Sequence, residues 1–384
     1  MKKIFLFFCL IIAAITADAS TRGKLFSRNG NNPQTAATES RADGIFNTVS
    51  RDYADGRISA DSVVNLALYH KVWSPALAER CLGLVADKNA RAAMELGVIY
   101  AFSPEYAKHA AAGAGLLQAA ADAGVNDARC YLGLYHFNRK DYAKAKACFD
   151  ACRPVSLGIG HTALGSMYME GKGVREDVAK AREYYCMAAL EGYPRGAALY
   201  GFNLRATAGG PVSYPDSFFW LYIAGDLGDD AARTALYLPR GNEARGDSEV
   251  SRDALTALQM IATAQSGKKI QNEPIYKDGF LKGLKDREKA AEQGDDWSRY
   301  YLGSMNYNGD FLNQNYKQAL RYYEPVARNA KLPATVLAVV NRRLAEIYGG
   351  VPGVKADAAK AAGYARRAAH YGSLSAYKAV EHLQ

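Results

Sequence analysis

The sequence predicts an all-α protein, a right-handed α-solenoid of antiparallel helix pairs, and three observations lead there. Glycines recur at a spacing of 36 residues: Gly97 and Gly133, Gly165 and Gly201, Gly192 and Gly228. A long pattern then returns five periods on, where Leu344, Tyr348, Gly353-Val354, Asp357, Lys360-Ala361, Tyr364, Ala368-Ala369 and Gly372 repeat at an offset of 180 what stands at Leu164, Tyr168, Gly173-Val174, Asp177, Lys180-Ala181, Tyr184, Ala188-Ala189 and Gly192. The repeated unit is rich in Ala, Leu and Tyr and poor in β-branched runs. A unit of that length holds two helices of about 12 residues and two turns.

The elements follow in order along the chain. Residues 1–19 carry Lys2-Lys3, an apolar run from Ile4 to Ile15 and Ala17-Asp18-Ala19, the signature of a cleaved secretory signal peptide, so the mature chain starts at Ser20. A retained N-terminal helix is the alternative; the run is short for a bilayer. Cys9 lies inside the run and no cysteine closely follows the cleavage site, which disfavours a lipid anchor. Residues 20–44, rich in Ser, Thr, Asn, Gly and Arg, read as a flexible leader. An N-terminal helical array is expected over 45–238, an irregular insertion or linker over 239–275, and a C-terminal array over 276–384. Pro239-Arg240-Gly241-Asn242, Gly246-Asp247 and Ser266-Gly267-Lys268-Lys269 break the pattern in the insertion, around a helical piece at Ala254 to Ala264. One superhelix with an insertion and two arms are both open.

In the clearest copy, helix A covers about 160–170, with Gly160, Leu164, Met167 and Tyr168 on one face at i, i+4, i+7 and i+8. Gly171 and Gly173 make the turn, Asp177 stands as the N-cap of helix B, and Gly192 ends that helix. Helix B pairs the rings of Tyr184 and Tyr185 with Ala181, Ala188 and Ala189, which lets neighbouring helices come close. In the 133–165 unit the turn between helices is four residues shorter, since Gly133 to Asp141 is 8 residues where Gly165 to Asp177 is 12.

The order Ala163, Leu164-Gly165, Tyr168, Gly171-Lys172-Gly173-Val174, Asp177, Lys180-Ala181, Tyr184-Tyr185, Ala188-Ala189, Gly192 resembles the Sel-one-like repeats, relatives of the tetratricopeptide repeats. The resemblance implies an adaptor with an extended concave surface lined by helix A. One subgroup of that family bridges each repeat with regularly paired cysteines. This chain lacks the regular pairing, so the properties of that subgroup do not transfer to it.

Formal charge is +9, which points to a negatively charged partner or surface and bears on encounter more than on identity. The basic residues are scattered without a nucleic-acid-binding motif, so nucleic acid is not an expected partner. Past the leader five cysteines remain, Cys81, Cys130, Cys148, Cys152 and Cys186, so at least one stays free or pairs between chains. Cys130 and Cys148 are plausible disulfide partners across a hairpin turn near Arg139. Cys148 and Cys152, at i and i+4 with His161 nearby, read first as small buried residues and second as a metal site.

Catalytic chemistry is not visible. Gly158-Ile159-Gly160-His161-Thr162-Ala163 imitates a dinucleotide fingerprint without the strand that motif requires, and Ser266-Gly267-Lys268 lacks the earlier glycine of a phosphate loop. His70, His109, His136, His161, His370 and His382 show no metal-ligand spacing. Glu170 and Glu176 read as solvated turn residues before they read as paired acids. No catalytic, cofactor or metal residue is therefore assigned, and no binding residue can be named. The expectation is an exported, non-enzymatic protein-binding scaffold in the periplasm or outside the cell. The alternatives are a glycan-binding or cell-wall enzyme and a dedicated inhibitor subunit of an envelope enzyme.

Overall fold

The computed structural model describes residues 33–71, 74–152, 158–205, 209–236, 273–310 and 312–372. The expected signal peptide at 1–19, the first part of the expected leader and nearly all of the 239–275 segment lie outside them. The described residues hold seventeen α-helices and one 3₁₀ turn, with no strand among them. They divide into two compact units, 1–156 and 157–384.

The first unit contains α1 (Pro33–Ala54), α2 (Ala60–His70), α3 (Pro75–Gly83), α4 (Ala90–Phe102), α5 (Ala110–Asp122), α6 (Asn126–Asn138) and α7 (Tyr142–Ala151). Helix α1 opens inside the stretch whose composition suggested a leader, because Ala36, Ala37, Glu39, Arg41 and Ala42 favour helix over the polar bias of the segment. The core of this unit is built from small and branched residues, with Val63, Val64, Ala67, Ala78, Cys81 and Leu82 sealed from solvent. Burial pushes the Cys81 thiol up to about 11.

The second unit contains α8 (Ile159–Glu170), α9 (Val178–Leu190), α10 (Pro194–Asn203), α11 (Tyr214–Asp226), α12 (Asp230–Leu236), α13 (Glu273–Glu292), α14 (Asp296–Asn308), α15 (Tyr316–Arg328), α16 (Ala334–Gly350) and α17 (Ala358–His370). Helix α8 buries Ile159, Gly160, Thr162, Ala163, Leu164, Gly165 and Met167, more than the single apolar stripe read from periodicity. An inner helix of a stack is covered on two sides. Helices before and after the 239–275 segment share one core, which runs from Ala189 to Tyr348. There α13 packs its Gly283 on Pro215 and lays Arg287 over the Phe219 ring, 3.8 Å from its centre.

The repeat is explained by one close approach. A Cβ at Gly165 would stand 2.6 Å from the Tyr185 ring, at Gly303 2.6 Å from Tyr323, at Gly201 2.8 Å from Leu221 and at Gly97 3.0 Å from Leu117, each partner 20 residues on. Gly133 meets Phe149 at 2.5 Å, 16 residues on, so the four residues missing from that turn reappear as the shift in partner. The backbone bond that closes each turn shows the same difference. Asp177 donates to Tyr168 O at 2.9 Å, Asp357 to Tyr348 O at 2.9 Å, Asn315 to Asn306 O at 2.8 Å and Ser213 to Leu204 O at 2.9 Å, each across nine residues. In the short turn Asp141 donates to His136 O at 3.0 Å across five. That turn puts Lys140 at φ 63, a left-handed conformation that a side chain disfavours. The same caps start each helix B: the side chains of Asp177, Asp357 and Asn315 accept from the amides of Lys180, Lys360 and Gln318 at 3.0, 3.0 and 3.1 Å.

The register of α6 on α7 corrects the expected disulfide. Cys130 pairs with Cys152, Cα to Cα 5.4 Å, and Cys148 keeps a free thiol. Counting nine residues either way from Arg139 sets Cys130 opposite Cys148, but the Cys148 Cβ lies 3.1 Å from where a Gly133 Cβ would stand, one helical turn beyond Cys130. Cys152 is therefore a bridging residue and not merely a small core residue. Peptide mapping of unreduced protein should recover a linked 130–152 pair and alkylated Cys148; a 130–148 link would contradict the register.

Gly303→Ala pushes a methyl into the Tyr323 ring and should destabilise the protein by about 1–3 kcal/mol in thermal or urea unfolding. The C-terminal repeat shows the compensation, since Ala345 and Ala365 occupy the places of Gly165 and Tyr185. Gly165→Ala combined with Tyr185→Ala should accordingly lose less than the sum of the two single changes.

Candidate interaction face

Beneath the helix A face of α14 and α16 lies a buried polar cluster. Asp226 ends α11 and Arg343 lies on α16, 117 residues later, with side chains 4% and 6% exposed. Arg343 clasps the carboxylate with both terminal nitrogens, Nη2 to Oδ1 at 2.6 Å and Nη1 to Oδ2 at 2.9 Å. Tyr300 Oη donates to Asp226 Oδ2 at 2.6 Å, Ser304 Oγ at 2.8 Å, and Asn308 Nδ2 donates to Oδ1 at 3.1 Å. Tyr323 Oη donates to Ser304 Oγ at 3.1 Å and receives Arg343 Nη1 at 2.8 Å. Alongside, the buried Tyr222 hydroxyl donates to Asp310 at 2.9 Å.

Burial pushes the Asp226 carboxyl up, but the Arg343 charge and the hydrogen bonds from Arg343, Tyr300 and Ser304 together outweigh it and hold the group well below the ordinary carboxylate range. Burial and the Asp226 charge push the Tyr300 phenol far up, which keeps it a donor. Ser304 Oγ gives its proton to Asp226 and accepts from Arg343 Nη1, at 2.9 Å, and from Tyr323. Arg343 Nη1 carries two hydrogens for three acceptors, so one is shared, and the Ser304 hydroxyl is held between Asp226, Tyr323 and Arg343. The cluster fixes geometry.

What it fixes lies above it. Tyr307 of α14 donates its hydroxyl to Glu346 of α16, Arg342 Nη1 holds the other Glu346 oxygen at 2.6 Å, and the Arg343 guanidinium lies 4.8 Å from the Tyr307 ring centre. Arg342 and Glu346 are 33% and 42% exposed, and the Tyr307 ring is half-buried. Two successive A helices thus present one ordered patch.

Tyr323 and Ser304 keep the places of Tyr185 and Ser166, but the ion pair and the patch above it do not follow the repeat. Where the earlier copy has Ala163 and Leu190, this region has Arg343 and Asp226. Asn306, not Tyr307, takes the turn-closing place of Tyr168. Sequence reading missed the patch because a periodic pattern shows what repeats, and the only available signal was an Arg in a small-residue slot.

The residues weighed from sequence are not brought together. Gly158 adopts φ 66 just before α8 with Tyr193 and Ala188 against it, in a helical setting. Glu170 pairs with Lys172 at 2.6 Å while Glu176 is exposed. His161 Nδ1 sits 2.9 Å from Glu191, and His136 4.0 Å from Asp141. Among the described residues no three His, Cys, Asp or Glu side chains gather as metal ligands. Ser266-Gly267-Lys268 and His382 lie outside them, and no described helix is long and apolar enough to cross a membrane.

The Sel1 repeat family profile matches residues 159–193, 298–329 and 339–372, which are the pairs α8–α9, α14–α15 and α16–α17. The chain carries Sel1 repeats. Beta-lactamase HcpA of Helicobacter pylori (strain J99) is 40% identical over 53 residues, 14% of this chain. The match spans 21% of that relative's length. Among solved structures, a protective antigen of uropathogenic Escherichia coli displaying an SLR fold is 19% identical, with 88% of this chain and 67% of that chain covered at a TM-score of 0.39. A Sel1 repeat protein from Oxalobacter formigenes is 21% identical, with 83% and 94% covered at 0.31.

The Asp226–Arg343 pair should be costly to break from one side. Asp226→Ala leaves a buried guanidinium without its anion and should lose about 3–5 kcal/mol, whereas Asp226→Leu with Arg343→Ala, the residues of the earlier copy, should recover much of that loss. The pH dependence follows from the lowered carboxyl. Its contribution is present above the unfolded Asp value of about 3.9 and is lost as pH falls toward the lower folded value. Between pH 6 and 3 the unaltered protein should lose melting temperature faster than the double variant; parallel curves would contradict this.

Proposed function

We propose that the protein is an exported, non-enzymatic scaffold that holds a protein partner on the helix A face of its Sel1 repeats. The observation that carries the reading is the Tyr307–Arg342–Glu346 patch, set at positions outside the repeat pattern and seated on the Asp226–Arg343 cluster. Tyr and Arg dominate protein interfaces, and side chains already ordered in the free protein lose little freedom when a partner arrives.

Export rests on the 1–19 reading and is supported by the Cys130–Cys152 bond, which belongs in an oxidising compartment. The periplasm and the cell exterior are equally compatible with both. No cofactor is invoked. The name of the Helicobacter relative raises acyl transfer as the rival, but that match covers a fifth of the relative, and the serine of the buried cluster, Ser304, is engaged by Asp226, Tyr323 and Arg343.

Capture from envelope extracts should compare the unaltered protein with an Arg342→Glu, Glu346→Arg variant at low and high salt. One stoichiometric protein, kept at high salt by the unaltered chain and lost by the variant, is the expected result. Recovery of cell-wall fragments alone, or equal recovery by both proteins, would contradict the assignment.

A further inference from the structure

The basic residues of this chain are scattered, but their surplus over acids is not. Between residues 316 and 372 stand ten Lys or Arg against three Asp or Glu, a surplus of seven where the whole chain has nine. That stretch is α15, α16 and α17. On α16, Arg343 is taken by Asp226 and Arg342 by Glu346. Of the eight others, Lys331 and Lys355 lie in the connecting turns and six lie on the other two helices.

On α15, Lys317, Arg321 and Arg328 are all exposed. Their spacing of i, i+4 and i+11 confines them to one stripe about 40° wide at 3.6 residues per turn. Ala319, Tyr323, Val326 and Ala327, on the opposite side, are buried. On α17, Lys360, Arg366, Arg367 and His370 are exposed within about 120° of arc, while Ala365 and Ala368 face inward.

The two helices are linked through Tyr348 of α16, which donates its hydroxyl to Glu324 of α15; on its other side Tyr364 of α17 stacks its ring on Tyr348 at 5.8 Å. The Tyr364 phenol is pushed up by burial and by Glu324 of α15, and pulled back by Arg367 and by Arg328 of α15. The Arg367 guanidinium lies 5.2 Å from its ring centre. Glu288 and Glu292 of α13 are exposed and reach Tyr322 beside Arg321, whereas the acids of α15 and α17 themselves are engaged. Glu324 accepts from the Tyr348 hydroxyl at 2.5 Å and lies 3.6 Å from Arg328, and Asp357 caps α17.

We propose that the α15–α17 face is a docking surface for an anionic polysaccharide, a sugar polymer bearing sulfate or phosphate groups. Guanidinium groups match such oxyanions with paired donors, and rows of like charge along two helices suit a polymer more than a single small ion. Half-buried Tyr322, Tyr364 and Tyr371 supply ring edges beside the charges, where sugar rings can pack. A bilayer fits less well, because the exposed large apolar side chains among the described residues are Met187, Leu190 and Tyr214, none of them on these helices. The face is separate from the Tyr307–Arg342–Glu346 patch, so either can fail alone.

The test titrates the full chain with dextran sulfate and with uncharged dextran of equal length, at about 50 mM salt and again at several times that, to read the screening. Binding to dextran sulfate and not to dextran is expected. It should weaken roughly tenfold or more in Lys317→Glu, Arg321→Glu, Arg366→Glu, and by less than about threefold in Lys88→Glu, Arg91→Glu, Lys108→Glu, which makes the same change in net charge in the first unit. All six side chains are exposed, and circular dichroism verifies that both variants stay folded; Arg366→Glu alone serves if the triple variant does not. Equal weakening by both variants, no binding to dextran sulfate, or binding only to phosphatidylglycerol vesicles would overturn the proposal.

Discussion

The structure depends on a missing methyl group. Helix A can approach helix B closely enough to bury a ring against its backbone only because the contact residue is glycine, as at Gly165 on Tyr185 and Gly303 on Tyr323. That contact fixes the spacing of the two helices in each pair. Closely spaced helices then demand a turn of set length, closed by one backbone bond and started by one side-chain cap. Where four residues are lost from the turn, the unit keeps the contact and moves the partner, from 20 residues on to Phe149 at 16, while Lys140 accepts a left-handed backbone. At Ala345 and Ala365 the methyl is admitted and the ring is given up.

These features were legible in the sequence because they repeat. The period, the caps at Asp177 and Asp357, the glycine slots and the shortened turn all follow from counting, and the helices stand where the counting puts them. The disulfide was not legible to the same precision, since a hairpin turn read one helical turn short directs Cys130 to Cys148 and not to Cys152. The interaction patch was not legible at all. Asp226 and Arg343 stand 117 residues apart at positions where the clearest copy has Leu and Ala, and nothing local relates one to the other. A buried charge is tolerable only beside its partner, and that partner is specified by the fold.

The three layers divide the work. Glycine and ring contacts build each helix pair. The Asp226 cluster joins α11 to α14 and α16, farther than a stack of repeats touching only its neighbours would reach. Above it the Tyr307–Arg342–Glu346 patch is held in one arrangement, and on other helices the basic stripes of α15 and α17 are left free to meet an anionic polymer.

Joined by that cluster, α11, α14 and α16 open as one body. Native-state hydrogen exchange tests this most directly. Amides in α11, α14 and α16 should exchange through a shared opening of similar free energy, and replacing Asp226 and Arg343 together should separate α11 from the other two. If α11 already exchanges through a distinctly weaker opening in the unaltered protein, the repeats behave as independent neighbours and the account of the cluster is wrong.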